Sequence, residues 1–330
     1  MRVTPSLDTL GTFTICNPAD PDLIQNDPTI TFADSHYLVV WADEKHGSEN
    51  YYYTTIARVT TEGAVLDTGI RVNDAPGYSE SRPNVAFDGE RCLVVWTSSS
   101  SGAFARFVNS EGLPDGNRIT LNSGYSGGAN VAFGDTGYLV VWFTGTYPEL
   151  ELYARTVSPS GVLGDTFAVI TGSGCHRWAD LVFDGTNFLI VWQTGDNNAG
   201  QVIFGQFVAP DGSLVGERFR ISSDSYNRRW WPAVAASDSN FLVTWGQGTS
   251  SDIWGNIDVG VTAVREVPDG PVQALRSATI LKPSDPSLVP YGQIVFDALG
   301  RKTDARSLRP GIYYVPGPDP RAPVRVLIVR

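Results

Sequence analysis

Apolar residues in this chain arrive as paired bursts around a short polar turn. The stretches "ITFADSHYLVVW", "VAFDGERCLVVW", "VAFGDTGYLVVW", "LVFDGTNFLIVW" and the worn "VAASDSNFLVTW" follow one template. Phe32 to Trp41, Phe87 to Trp96, Phe133 to Trp142 and Phe183 to Trp192 keep the same separation, and Ala236 to Trp245 keeps it with a small residue at the head. Five copies without a slip predict a repeat architecture. Each copy predicts a hairpin: a strand, a turn rich in Asp, Gly, Ser and Asn, and a second strand. Second strands such as "YLVVW" are apolar on successive residues, which predicts a strand covered on both faces.

A variable polar loop follows each Trp, and then a third β-rich stretch: "TTIARVTTEG", "FARFVNSEG", "LYARTVSPSG" and "VIFGQFVAPDG". The closing Gly63, Gly112, Gly161 and Gly212 suit a turn with positive φ. A fourth stretch completes the unit, as in "TGIRVN" and "NRITLN". Four strands in about 50 residues is the signature of a β-propeller blade. The fifth copy has no clear fourth strand, whereas Leu10–Cys16 matches one with no blade before it. The expectation is therefore an all-β, five-bladed β-propeller over 1–270, with the N-terminal strand closing the last blade and removing two open sheet edges. Six blades is the alternative, should the C-terminal strands join the ring. Beyond Pro271 the repeat is lost, and a small β-rich tail over 271–330 is expected, with strands "QIVFDA", "GIYYV" and "VRVLIV".

Charge narrows the partners. A net charge of −11 argues against nucleic acid and anionic membrane surfaces. No apolar run approaches the roughly 18 residues of a membrane span. The opening "MRVTPSLDTLGTFTIC" has no apolar h-region, so no signal peptide is expected in this chain. Three cysteines without paired spacing do not read as a disulfide framework or a zinc site, and three histidines argue against a transition-metal cluster. "ADEKHGSEN" and "TGDNNAG" gather oxygen ligands without strict calcium spacing and read as solvated loops. No metal and no cofactor is expected.

The tail "VFDALGRK…LRPGIYYV…VRVLIVR" resembles the C-terminal sorting domains of proteins secreted by type IX-like routes. Asp297, Gly300, Arg301, Leu308, Gly311, Tyr313 and Val315 occupy the matching places. The resemblance implies an extracellular or cell-surface location, secretion or attachment machinery as a partner of the tail, and a native start other than Met1. The blade repeats resemble the "vafdG-x-x-ylvvW" repeats of bacterial extracellular propellers.

Propellers bind at their funnel openings, so the loops leading into each first strand are the candidate site. Tyr78, Arg82, Tyr125, His176, Arg177, Trp178, Tyr226, Arg229, Trp230 and Trp231 lie in or beside them. Flat aromatic faces with fixed donors suit a sugar or a peptide. The competing reading is that the same residues wedge blades together and cap the funnel. "NRRWWP" is the least repeat-like of these loops. The leading expectation is a non-catalytic recognition or scaffold module for a glycan or protein. A glycoside hydrolase is the alternative, since five-bladed propellers include such enzymes and Asp27, Glu80 and Asp180 come from different blades. A purely structural surface-layer or adhesin segment is a third reading. Asp34, Asp88, Asp135, Asp184 and Asp238 belong to the hairpin turns.

Overall fold

The computed structural model describes residues 2–3, 9–16, 24–45, 51–67, 69–73, 80–98, 101–195, 200–222, 229–237, 240–247, 252–259, 278–281, 295–297, 302–303, 311–315 and 325–329. The chain divides into two compact units, Met1–Thr262 and Ala263–Arg330.

In the first unit β1 (Arg2–Val3) pairs with β2 (Thr9–Gly11). Five antiparallel blades follow. The first is β3 (Gln25–Ala33), β4 (His36–Lys45), β5 (Tyr51–Thr60) and β6 (Ile70–Arg71). The second is β7 (Glu80–Phe87), β8 (Cys92–Ser98), β9 (Gly102–Val108) and β10 (Pro114–Ser123). The third is β11 (Gly127–Gly134), β12 (Gly137–Thr146), β13 (Glu149–Val157) and β14 (Leu163–Ile170). The fourth is β15 (His176–Phe183), β16 (Phe188–Thr194), β17 (Val202–Val208) and β18 (Leu214–Arg220). The fifth is β19 (Arg229–Ala236), β20 (Asn240–Gln247) and β21 (Asp252–Val259). First strands neighbour first strands, β3 on β7, β7 on β11, β11 on β15 and β15 on β19, so they form the inner wall of a five-bladed propeller.

The paired bursts are the hairpins of the first and second strands, in the register Phe87↔Cys92, Phe133↔Tyr138 and Phe183↔Phe188. Asp88 and Asp184 each accept two backbone N–H bonds within their turns, at 2.7–2.8 Å, which is why Asp recurs there. Gly63, Gly112, Gly161 and Gly212 have φ of 75–91°. Every residue of β8 is buried, as a strand sandwiched between blades requires. Apolar clusters fill the space between successive blades, centred on Trp96, Trp142, Trp192 and Trp245.

Two expectations are corrected here. Leu10–Cys16 does not pair with the last blade: Thr9–Gly11 pairs with β1, and Ile15 and Cys16 pack on Val39, Trp41, Ala57 and Val59 of the first blade. Covering that apolar face wins over extending the edge of β21, so the fifth blade has three strands among the described residues. The tail is also richer than three strands. β22 (Ala278–Leu281), β23 (Val295–Asp297), β24 (Lys302–Thr303), β25 (Gly311–Val315) and β26 (Arg325–Val329) form one sheet of the second unit, in the order β22-β26-β25-β23-β24. They add no sixth blade.

The third strands carry a stitch between blades. Arg106 Nη1 donates to the Val72 carbonyl and Arg155 Nη1 to the Leu121 carbonyl, each 2.9 Å away on the preceding blade. Their Nε atoms bond Gly116 and Gly164 carbonyls within their own blades. Arg155→Met keeps the aliphatic packing and removes both bonds. It should cost about 1–3 kcal/mol, since the carbonyls lose a charged donor. Equal denaturant midpoints for variant and parent would show the stitch to be idle.

Candidate active site

The inner strands share an unusual feature. Each carries a bulge near its leading end, between Asn26 and Thr29, Ser81 and Asn84, Gly127 and Asn130, Arg177 and Asp180, and Trp230 and Ala233. At the same place in every blade one residue takes positive φ: Asp27 (50°), Arg82 (52°), Gly128 (57°), Trp178 (56°) and Trp231 (50°). Only the third blade uses glycine there. Gly128 also meets the Phe143 ring, which lies 2.9 Å from where a Cβ would stand. For residues as bulky as Trp and Arg this backbone is strained, and such strain concentrates at ligand sites. Trp231 holds it while 67% exposed, so packing does not explain it.

Trp178 is the hub of the mouth. The Arg82 guanidinium lies 3.9 Å from its ring centroid, that of Arg177 5.7 Å, and Phe143 meets it edge-on at 5.6 Å. Tyr125 stands 6.4 Å beyond Phe143 and presents an exposed ring. Burial pulls the Arg82 pKa down, the charge of Asp27 pushes it back up, and that of Arg177 lowers it further. Next to this hub a cavity of about 290 Å³ is lined by Arg177, Trp178, Gln193, Gln201, Trp230 and Trp231. Trp230 and Trp231 are perpendicular neighbours, 6.4 Å apart. Gly246 makes room for the first of them: a Cβ there would stand 2.5 Å from the indole nitrogen.

Asp180 lies two residues beyond Trp178. Its Oδ1 accepts from Asn130 Nδ2 at 3.0 Å and its Oδ2 from the Val234 N–H at 2.8 Å, so it bridges three inner strands. Burial raises its pKa, against the pull of hydrogen bonds from Val234, Leu181 and Asn130. A carboxylate offers about four acceptor positions, and these bonds leave room for one proton. Thr29 makes the corresponding reach in the first blade, its hydroxyl donating to the Pro83 carbonyl at 3.2 Å.

Arg82, Tyr125, Arg177, Trp178, Trp230 and Trp231 are thus brought to one end of the propeller. Two expected ligand contacts are corrected. Arg229 is fully buried, its Nε on Gln247 Oε1 and its Nη1 on the Gln201 carbonyl. His176 is also buried, its Nδ1 3.0 Å from the Thr194 hydroxyl. Both lie below the surface because neighbouring polar groups satisfy them there. Tyr78 and Tyr226 lie outside the described residues, as does the Glu80 side chain. Gln193 and Gln201 were not anticipated. Gln193 and Gln201 immediately flank "TGDNNAG", the loop whose oxygen ligands drew attention instead.

Burial, helped by the Arg218 charge, lowers the His176 pKa, while Glu151 opposes it. The folded state therefore favours the neutral ring. Its contribution is present above the unfolded value near 6.5 and is lost as pH falls through the lowered one. His176→Asn should flatten the fall in melting temperature between about pH 7 and 5; an unchanged slope would remove His176 as its cause.

No protein-family model and no curated protein matches the chain. Solved structures do. The catalytic domain of the Coprinopsis cinerea GH62 alpha-L-arabinofuranosidase aligns at TM-score 0.46 and 12% identity, over 74% of this chain and 92% of that one. A thermostable family-43 glycoside hydrolase aligns at 0.45 and 13%, over 74% and 92%. The endo-arabinase of Bacteroides thetaiotaomicron aligns at 0.45 and 14%, over 78% and 100%. The leading expectation of a non-catalytic recognition or scaffold module is set aside for the alternative held beside it, a glycoside hydrolase.

Proposed function

We propose that this propeller hydrolyses a glycoside bound across the leading ends of its inner strands. The observation that carries the reading is the ring of strained backbone at Asp27, Arg82, Trp178 and Trp231, at the same place in four inner strands. Indole faces stack on the apolar face of a sugar ring. Glycoside hydrolysis needs one carboxyl to protonate the leaving oxygen and another to assist water or attack the anomeric carbon. Asp180 suits the acid, since burial favours its protonated form. Asp27, on the inner strand of another blade, suits the carboxylate. The C-terminal unit is proposed as a secretion or attachment tail, a role supported by β23 and β25 pairing Asp297 with Tyr313, two of the motif positions. The enzymatic reading is tested by incubating the protein with chromogenic aryl glycosides and oligosaccharides and following products by NMR. Release of a reducing sugar that saturates with substrate is expected. No turnover on any neutral or acidic glycan would overturn the reading.

A further inference from the structure

The pocket beside Trp178 has a chemistry of its own. The protein carries a net charge of −11, yet among the described residues the lining of this cavity includes a cation, Arg177, and no acid. Arg82 stacks on Trp178, and the guanidinium of Arg229 is buried against Gln201, itself part of the lining. Asp27 acts on Arg82, and the Asp180 oxygens are turned to Asn130 and Val234. The wall also holds an unsatisfied group. Gln193 is 1% exposed, and neither its amide nitrogen nor its amide oxygen has a hydrogen-bond partner. Leaving a buried amide unpaired is costly, a cost that a ligand supplying both an acceptor and a donor would remove. Trp231 brings a flat apolar face that is 67% exposed. At about 290 Å³ the cavity lies at the small end of ligand pockets, which span about 300–1,000 Å³, and suits a single sugar unit.

We propose that this pocket selects a uronic-acid unit of a glycan, with its ring against the indoles, its carboxylate on Arg177 and the Gln193 amide nitrogen, and a hydroxyl donating to the Gln193 amide oxygen. A planar guanidinium matches a carboxylate with two parallel bonds, which a neutral hydroxymethyl group cannot return. The inference rests on the glycoside reading and names its substrate class.

Calorimetric titration with trigalacturonic acid, its trimethyl ester and arabinotriose separates the two. The acid should bind at least tenfold tighter than the ester, which differs in charge but hardly in shape. Arg177→Gln should bring acid and ester to parity by weakening the acid far more than the ester. Trp231→Ala, at an exposed position that folding does not need, should weaken both. Equal affinity for acid and ester, or no binding of either, overturns the inference. Cleavage of neutral glycosides with no preference for the acid overturns it while leaving the hydrolase standing. Charge-selective binding with no cleavage of any glycan supports the pocket and overturns the hydrolase.

Discussion

Asp180→Asn should lower kcat/KM on a cleaved glycoside by about 10²–10⁴, the usual worth of a positioned proton donor. KM should move little, because the amide keeps the shape and can still accept from the Val234 N–H. What it loses is the proton. In the parent, the rate should fall as pH rises through the raised Asp180 pKa; in the variant that limb should vanish. Stability supplies an independent readout. A carboxyl whose folded pKa is raised contributes stability in full below the ordinary value of 3.8, and this is lost as pH rises through the folded value. Asparagine does not ionise, so the variant should gain on the parent across that window. A variant that keeps the parent's rate would leave Asp180 only its bridging role between β11, β15 and β19. Melting curves guard against the trivial outcome, since a collapsed inner wall would lower activity through unfolding.

The wheel was legible because hydrophobic burial writes itself into sequence as period. Trp41, Trp96, Trp142, Trp192 and Trp245 recur because every blade must bury the same faces against its neighbours. The turn aspartates and the closing glycines were legible for the same reason, since local backbone geometry restricts the residues allowed. Closure was not legible. Leu10–Cys16 matches a fourth strand in pattern, but pattern alone does not distinguish pairing with β21 from packing on Trp41. The two flanks of that seam show what is at stake. Ile30 and Phe32 on the first blade, and Leu242 and Ile257 on the last, are exposed. The stitch of Arg106 and Arg155 was present in the text as "ARF" and "ART", where it reads only as a polar position in a strand. Of the site, the loops and aromatics were found. The backbone strain at Arg82, Trp178 and Trp231 was not, since bulky residues carry no propensity for positive φ. Gln193 was missed because a glutamine at a strand end is unremarkable until both its amide atoms are seen to be buried without partners.

Trp192→Ala should be the most destabilising single change in the propeller, at about 3–5 kcal/mol. Trp192 is completely buried between the third and fourth blades, in a cluster with Leu139, Val141, Leu152 and Ile190. Its ring stacks on Phe204 at 6.1 Å, and its Nε1 donates to the Thr194 hydroxyl at 3.0 Å. That hydroxyl is also the partner of His176 Nδ1, so the truncation disturbs a buried polar pair along with the apolar core. Neither flanking blade can shift to fill the space, because Arg155 ties the third blade to the second and Asp180 ties the fourth to both of its neighbours. Trp245→Ala offers the comparison. Trp245 is 6% exposed, and its blade has the exposed Leu242 and Ile257 on its other face. That blade can relax, so the cost there should be smaller by 1 kcal/mol or more, about the spread seen when similar truncations differ in how well the site collapses. Denaturant melts of the two variants check the ordering. Equal losses would mean that the last blade is as firmly held as the fourth, and that the seam beside it is packed in solution.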